Sequence, residues 1–200
     1  DLSAYFSEYE ALVQKIDEDV KKAAKASGKI ESCGLEEDEC CLHFFDLQLI
    51  EVVYLHSTMN RALKSDERSE VIHEAVEVNK KIKGLRRKIY GEKDDPEADK
   101  KSLVEAYRKE KIFCPLNRES RCCLYEYRPI RCRSYGISNK SMDIDMVNNM
   151  LFNISRNLFF AFTGSFLEKD ALSFSLAETV SGKFVQEYFH YLAYLETGSN

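Results

Sequence analysis

The stretch from Ile112 to Gly136, IFCPLNRESRCCLYEYRPIRCRSYG, limits what this chain can fold into more than any other part of it. It carries four of the seven cysteines, Cys114, Cys122, Cys123 and Cys132, and five arginines against two glutamates. Pro115 and Pro129 interrupt any continuous helix, because proline has no amide proton and clashes with the preceding turn. A largely polar loop of this length cannot be ordered by burial. A metal ion or an iron–sulfur cluster could order it, since each thiolate bond ties one point of the chain to a common centre. The other cysteines, Cys33, Cys40 and Cys41, lie far upstream. The two groups are expected to meet at one site.

The cysteine count argues against disulfides. Seven is odd, and Cys40–Cys41 and Cys122–Cys123 are adjacent in sequence, an arrangement that strains a disulfide but suits a metal. A chain of 200 residues, 44% of them hydrophobic, can bury a core without covalent staples. The alternatives are free buried thiols and a disulfide framework. Reduced, metal-bound cysteines place the protein in the cytoplasm. No run of about 18 apolar residues is present, so no membrane span is expected. The opening DLSAYFSEYE is acidic and is not a secretory segment. A net charge of −5 argues against a nucleic-acid partner for the chain as a whole.

Outside the cysteine segments the pattern is helical, and residues 1–200 read as one all-α domain. Tyr5, Tyr9, Leu12, Ile16 and Val20 recur at helical steps over Ser3–Ser27, with Gly28 as a stop. The segment after His43 predicts a helix capped by Asp46 and running to about Leu63. It is apolar almost all round, which marks it as the most buried helix. A third helix is predicted from Ser65 or Asp66 to about Tyr90, ending in a basic run from Lys80 to Lys88. That run reads as a solvated face that complements the helix dipole. After a turn at Gly91–Asp95, Pro96 suits a first helical turn, and a short helix is predicted from Glu97 to about Lys109. Met146–Phe162 is predicted next, capped by Asp143 or Asp145 and ended by Gly164. Glu168–Ser181 and Lys183–Glu196 follow, broken at Gly182. In the last, Tyr188, Phe189, Leu192 and Leu195 form the expected buried face, and His190 is a surface residue. The expectation is a bundle of about six or seven helices, with cysteine loops at about 30–43 and 112–136 meeting at a metal site.

Zinc takes four ligands, and a cubane cluster takes four cysteines. The spacing here matches neither a zinc finger nor a ferredoxin. Thiolates gathered round a divalent ion leave net negative charge, which arginines can offset by donating hydrogen bonds to sulfur. Arg128 and Arg133 are the candidates for that role. The loop arginines would also pair with the acidic run Glu36 to Glu39 if the loops meet.

The residues Cys114-Pro115-Leu116, then Cys122-Cys123-Leu124-Tyr125-Glu126-Tyr127-Arg128-Pro129-Ile130-Arg131-Cys132-Arg133, resemble the second half of the CxxCxxCC cysteine-cluster family. That half reads CPxL, a short gap, then CxIYxxRPxxCR. The family is described as zinc- or iron-chelating domains, often called Fe–S-cluster-containing proteins, and its relatives include the flagellin lysine N-methylases. In the first half Glu36 and Glu37 stand where a family cysteine is expected, and the spacing is a residue longer. The resemblance covers about residues 30–43 and 112–136. It implies a zinc or iron centre, possibly an iron–sulfur cluster, held by Cys40, Cys41, Cys114, Cys122 and Cys132, with Cys33 as a further ligand. Cys123 is then an extra. The function implied is metal binding, with a redox or electron-transfer role if the metal is iron. The alternatives are a methyltransferase-like enzyme and a helical scaffold with a purely structural zinc. Substrate, catalytic residues and protein partners are not legible.

Overall fold

A computed structural model describes residues 1–27, 33–35, 37–90, 100–137 and 142–197. Helix α1 (Ser3–Ser27) comes first, followed by a 3-10 turn at Glu39–Leu42, strand β1 (Asp46–Leu47), α2 (Leu49–Ala62), α3 (Ser65–Tyr90) and α4 (Lys100–Lys109). Then come β2 (Asn117–Arg118), β3 (Arg121–Cys122), a 3-10 turn at Tyr125–Tyr127, and α5 (Ile130–Arg133). The chain continues through α6 (Ile144–Thr163), β4 (Phe174–Ser175), α7 (Leu176–Ser181) and α8 (Phe184–Thr197). This is an all-α bundle with two two-stranded patches, β1 antiparallel to β4 and β2 antiparallel to β3.

The apolar patterning explains the packing. Tyr9, Leu12, Ile16 and Val20 bury one face of α1. Helix α2 packs against α1, α6 and α7, so its apolar residues meet neighbours on several sides, with Leu49, Ile50, Val52, Leu55 and Met59 all buried. Helix α6 contributes Val147, Leu151, Ile154, Leu158 and Phe159 to the same core. A second, smaller cluster joins Val78, Ile82 and Leu85 of α3 to Leu103 and Tyr107 of α4. Phe44 and Ile112, which adjoin the two cysteine segments, are buried in it. Each segment therefore has one end set in the helical core. Among the described residues, no helix is long and apolar enough to cross a membrane.

The structure corrects three details of the expected fold. Asp46 does not cap α2; it lies in β1, paired with Ser175. The cap is Gln48, whose amide donates to Glu51 Oε2 at 3.2 Å in a reciprocal capping box. No helix spans Glu168–Ser181: Phe174–Ser175 pair with β1, and α7 starts only after Ser175, which forms a capping box with Glu178. Phe189 does not face inward; it is 61% exposed on α8. Asp143 caps α6 by accepting from the Met146 amide at 2.9 Å, and Gly164 ends it in the left-handed region at φ 70°. The Gly28 stop, the Gly91–Asp95 turn, Pro96 and the start of the helix expected from Glu97 lie outside the described residues.

Candidate metal centre

Backbone hydrogen bonds stitch the two cysteine segments together. The Cys114 amide donates to the Cys41 carbonyl, and the Cys122 amide to the Gly34 carbonyl, both at 2.8 Å. Gly34 has φ +94°, which glycine adopts without strain, and a β-carbon there would stand 3.2 Å from the Tyr125 ring. A larger residue would be strained at that φ and would push on the Tyr125 ring. Asp38 adds a side-chain tie, accepting from Asn117 Nδ2 at 3.1 Å and Ser120 Oγ at 3.0 Å. Among the described residues, Glu37, Asp38 and Glu39 form no ion pair with the loop arginines, so this tie replaces the expected charge pairing; Glu36 lies outside them.

The convergence brings five thiols to one place. Cys40 and Cys41 from the first segment and Cys114, Cys122 and Cys132 from the second line one cavity of about 30 Å³. The 3-10 turn buries Cys40 and Cys41. Pro129 leads into α5, whose single turn presents Cys132. The amide of Ile130 donates to buried Glu51 Oε1 at 3.1 Å, which fixes α5 to α2. Cys33 does not line the cavity but touches it: the Cys40 amide donates to Cys33 Sγ at 3.1 Å. The thiols lie close enough in a run to perturb one another, Cys33 with Cys40, Cys40 with Cys41, and Cys41 with Cys114. Cys123 is elsewhere, half-buried against the main core, with Arg118 and Glu67 as its charged neighbours.

Burial and neighbouring thiols shift every thiol of the centre above its ordinary range. Cys33 is pushed far up by its contact with the Cys40 thiol and then by burial. Cys41 is pushed up by Cys114 and then by burial. Cys40 is lowered by its contact with Cys33 but raised more by Cys41 and by burial, and ends at about 12. Burial pushes Cys122 up to about 11 and Cys132 well above its ordinary value. A cluster of thiolates without a cation would be electrostatically untenable here, so an ion entering the centre must displace protons.

The two arginines part company. Arg128 is buried, lies over the Tyr125 ring at 3.7 Å, and donates to the Cys33 carbonyl. Its charge favours the thiolate forms of Cys33, Cys122 and Cys132. Arg133 serves another purpose. Nε donates to the Arg128 carbonyl at 2.8 Å, one terminal nitrogen pairs with Asp17 Oδ2 at 2.7 Å, and the other donates to the Glu126 carbonyl. It ties α1 to the loop and, among the described residues, has no hydrogen bond to sulfur.

The donor set has the chemistry of a soft-metal site: several thiols, a cation beside them, and amide protons on sulfur. Its arrangement is not preset. Among the described residues, no group of three or more His, Cys, Asp or Glu side chains is already placed to hold an ion. The sulfurs would have to turn from one another towards a shared centre. The sequence reading missed His43, which lines the cavity two positions after Cys41, and whose basicity is lowered first by burial and then by Arg131 and Arg108. It also missed Glu51, an acid in an apolar run. Comparison with known proteins adds no relative: no family model matches the chain, and neither a curated protein nor a solved structure is significantly similar to it.

Proposed function

We propose that this protein holds a metal, zinc or iron, on the thiolates of Cys40, Cys41, Cys114, Cys122 and Cys132, with Cys33 beside them. The observation that carries the reading is the convergence of five cysteines from two distant segments on one cavity. The odd cysteine count and the adjacent pairs Cys40–Cys41 and Cys122–Cys123 suit metal ligation better than disulfides. The motif resemblance of residues 112–136 points the same way, as does Arg128, which supplies positive charge where thiolates would accumulate. About 30 Å³ suits a single ion; a four-iron cluster requires the segments to open. Iron would add redox chemistry to the centre, and zinc would not. A reducing compartment, the cytoplasm, is the setting in which these thiols stay available.

The test is elemental analysis with a visible spectrum on protein purified without oxygen. The reading requires zinc or iron in near-stoichiometric amount, with visible absorption if the iron is in a cluster. Metal-free protein that cannot be loaded with zinc(II) or iron(II) after reduction would overturn it.

A further inference from the structure

The turn that carries Cys132 to the cysteine cavity also contributes Ile130, Arg131 and Ser134 to a larger cleft of about 400 Å³. The cleft runs between the start of α2, α5, the start of α6 and the segment around Lys169–Ser173. Its floor is apolar: Leu47, Ile130, Val147 and Leu151 are all buried. One charged group interrupts that floor. Glu51, 2% exposed, lines the cleft and accepts the amides of Gln48 and Ile130. Among the described residues, no cationic side chain forms a salt bridge with it. A carboxylate has about four acceptor sites, so the two amides leave capacity unused. The lining as a whole carries four carboxylates, Asp46, Glu51, Asp145 and Asp170, against two cations, Arg131 and Lys169.

We propose that this cleft binds a small alkylammonium compound, with its nitrogen on the Glu51 carboxylate and its alkyl part on Leu47, Val147 and Leu151. A buried carboxylate is costly unless a cation and hydrogen-bond donors satisfy it, and an ammonium group supplies both. The apolar floor takes the methylene chain. An anionic ligand of the same length would face Glu51 and an excess of negative charge. The amides explain why Glu51 caps α2 and anchors α5. They do not explain a cavity of this size around a carboxylate that Arg131, the cation of the same lining that acts on it, meets without a salt bridge. The inference does not depend on whether the cysteine centre holds a metal.

The test is calorimetric titration of the whole chain at pH 8, where Glu51 is ionised, with n-butylammonium chloride and, separately, sodium butyrate. We expect saturable one-site binding of n-butylammonium at least about tenfold tighter than that of butyrate. Glu51→Gln should weaken it by about tenfold or more. Asn148→Trp, which fills the cleft from α6 without touching the Glu51 hydrogen bonds, should abolish it with the helical circular dichroism unchanged. It also serves if Glu51→Gln does not fold. Absence of saturable n-butylammonium binding, equal or tighter binding of butyrate, or undiminished binding by Asn148→Trp would each overturn the proposal.

Discussion

The helical bundle and the cysteine centre are ordered by different means. In the bundle, Leu158 and Phe159 of α6 meet Ile50 and Leu55 of α2 in one continuous apolar core, and the position of any one residue is over-determined by its neighbours. In the centre the elements are two-residue strands, single 3-10 turns and one four-residue helix, held by a few amide bonds and side-chain ties. Burial dominates in the first region, with helix caps fixing the ends. The second has a built frame, but its sulfurs satisfy one another rather than a common partner. An ion bound there, as proposed, would tie the two segments to a common centre.

The largest expected effect comes from the bundle. Leu158→Ala should destabilise the protein by about 2–5 kcal/mol through lost burial and a residual cavity. Denaturant unfolding measures this, and metal content per folded molecule should not change. A variant that loses metal as well would mean that the two regions are not separable.

The link between the regions is sensitive to pH. Burial pushes the Glu51 carboxyl up to about 7, from an ordinary 4.5. Between those values the folded state binds more protons than the unfolded chain, so stability falls as pH rises. The contribution is fully present below 4.5 and is lost as pH passes 7, with a span of about 3 kcal/mol. Glu51→Gln should be less stable at pH 5, because one of the two amides loses its acceptor, yet should lose less stability between pH 5 and pH 8. Parallel pH profiles for the two proteins would remove Glu51 as the cause.

Arg133→Ala cuts the tie from α1 to the loop. Asp17 is partly exposed and rehydrates, which softens the loss, so about 2–3 kcal/mol is expected. Hydrogen exchange should show it as faster opening of residues 124–133, with α6 unaffected. The smallest effect should be Cys123→Ser, which removes a half-buried thiol outside the cavity and should cost at most about 1 kcal/mol.

How much of this was legible in the sequence follows the same division. The extents of α1 and α3 are readable because apolar residues recur at helical steps along them. The end of α7 at Ser181, before Gly182, is legible, but its start is not, although Ser175 and Glu178 carry the capping-box spacing, because the apolar run before them looks helical until β1 is there to pair with it. Asp46 reads as a cap for the same reason: a strand partner 129 residues away in β4 decides its conformation. At the centre, the cysteines and the Arg128-Pro129 pair stand out by type and spacing. The use of Arg133 does not, because Asp17 lies 116 residues away. Glu51 was invisible as well, since nothing local tells a buried helix cap from a solvated acid.

The most direct test of the account compares Cys132→Ser with Cys123→Ser, beside the parent, in metal stoichiometry and melting temperature. Cys132 stands in the cavity with four other thiols, and Cys123 stands outside it. The account predicts that Cys132→Ser loses metal and melts earlier, because part of the ion's binding free energy holds the two segments together. Cys123→Ser should retain both its metal and its melting temperature. Loss of metal from Cys123→Ser with retention by Cys132→Ser, or retention by both, would contradict the placement of the centre.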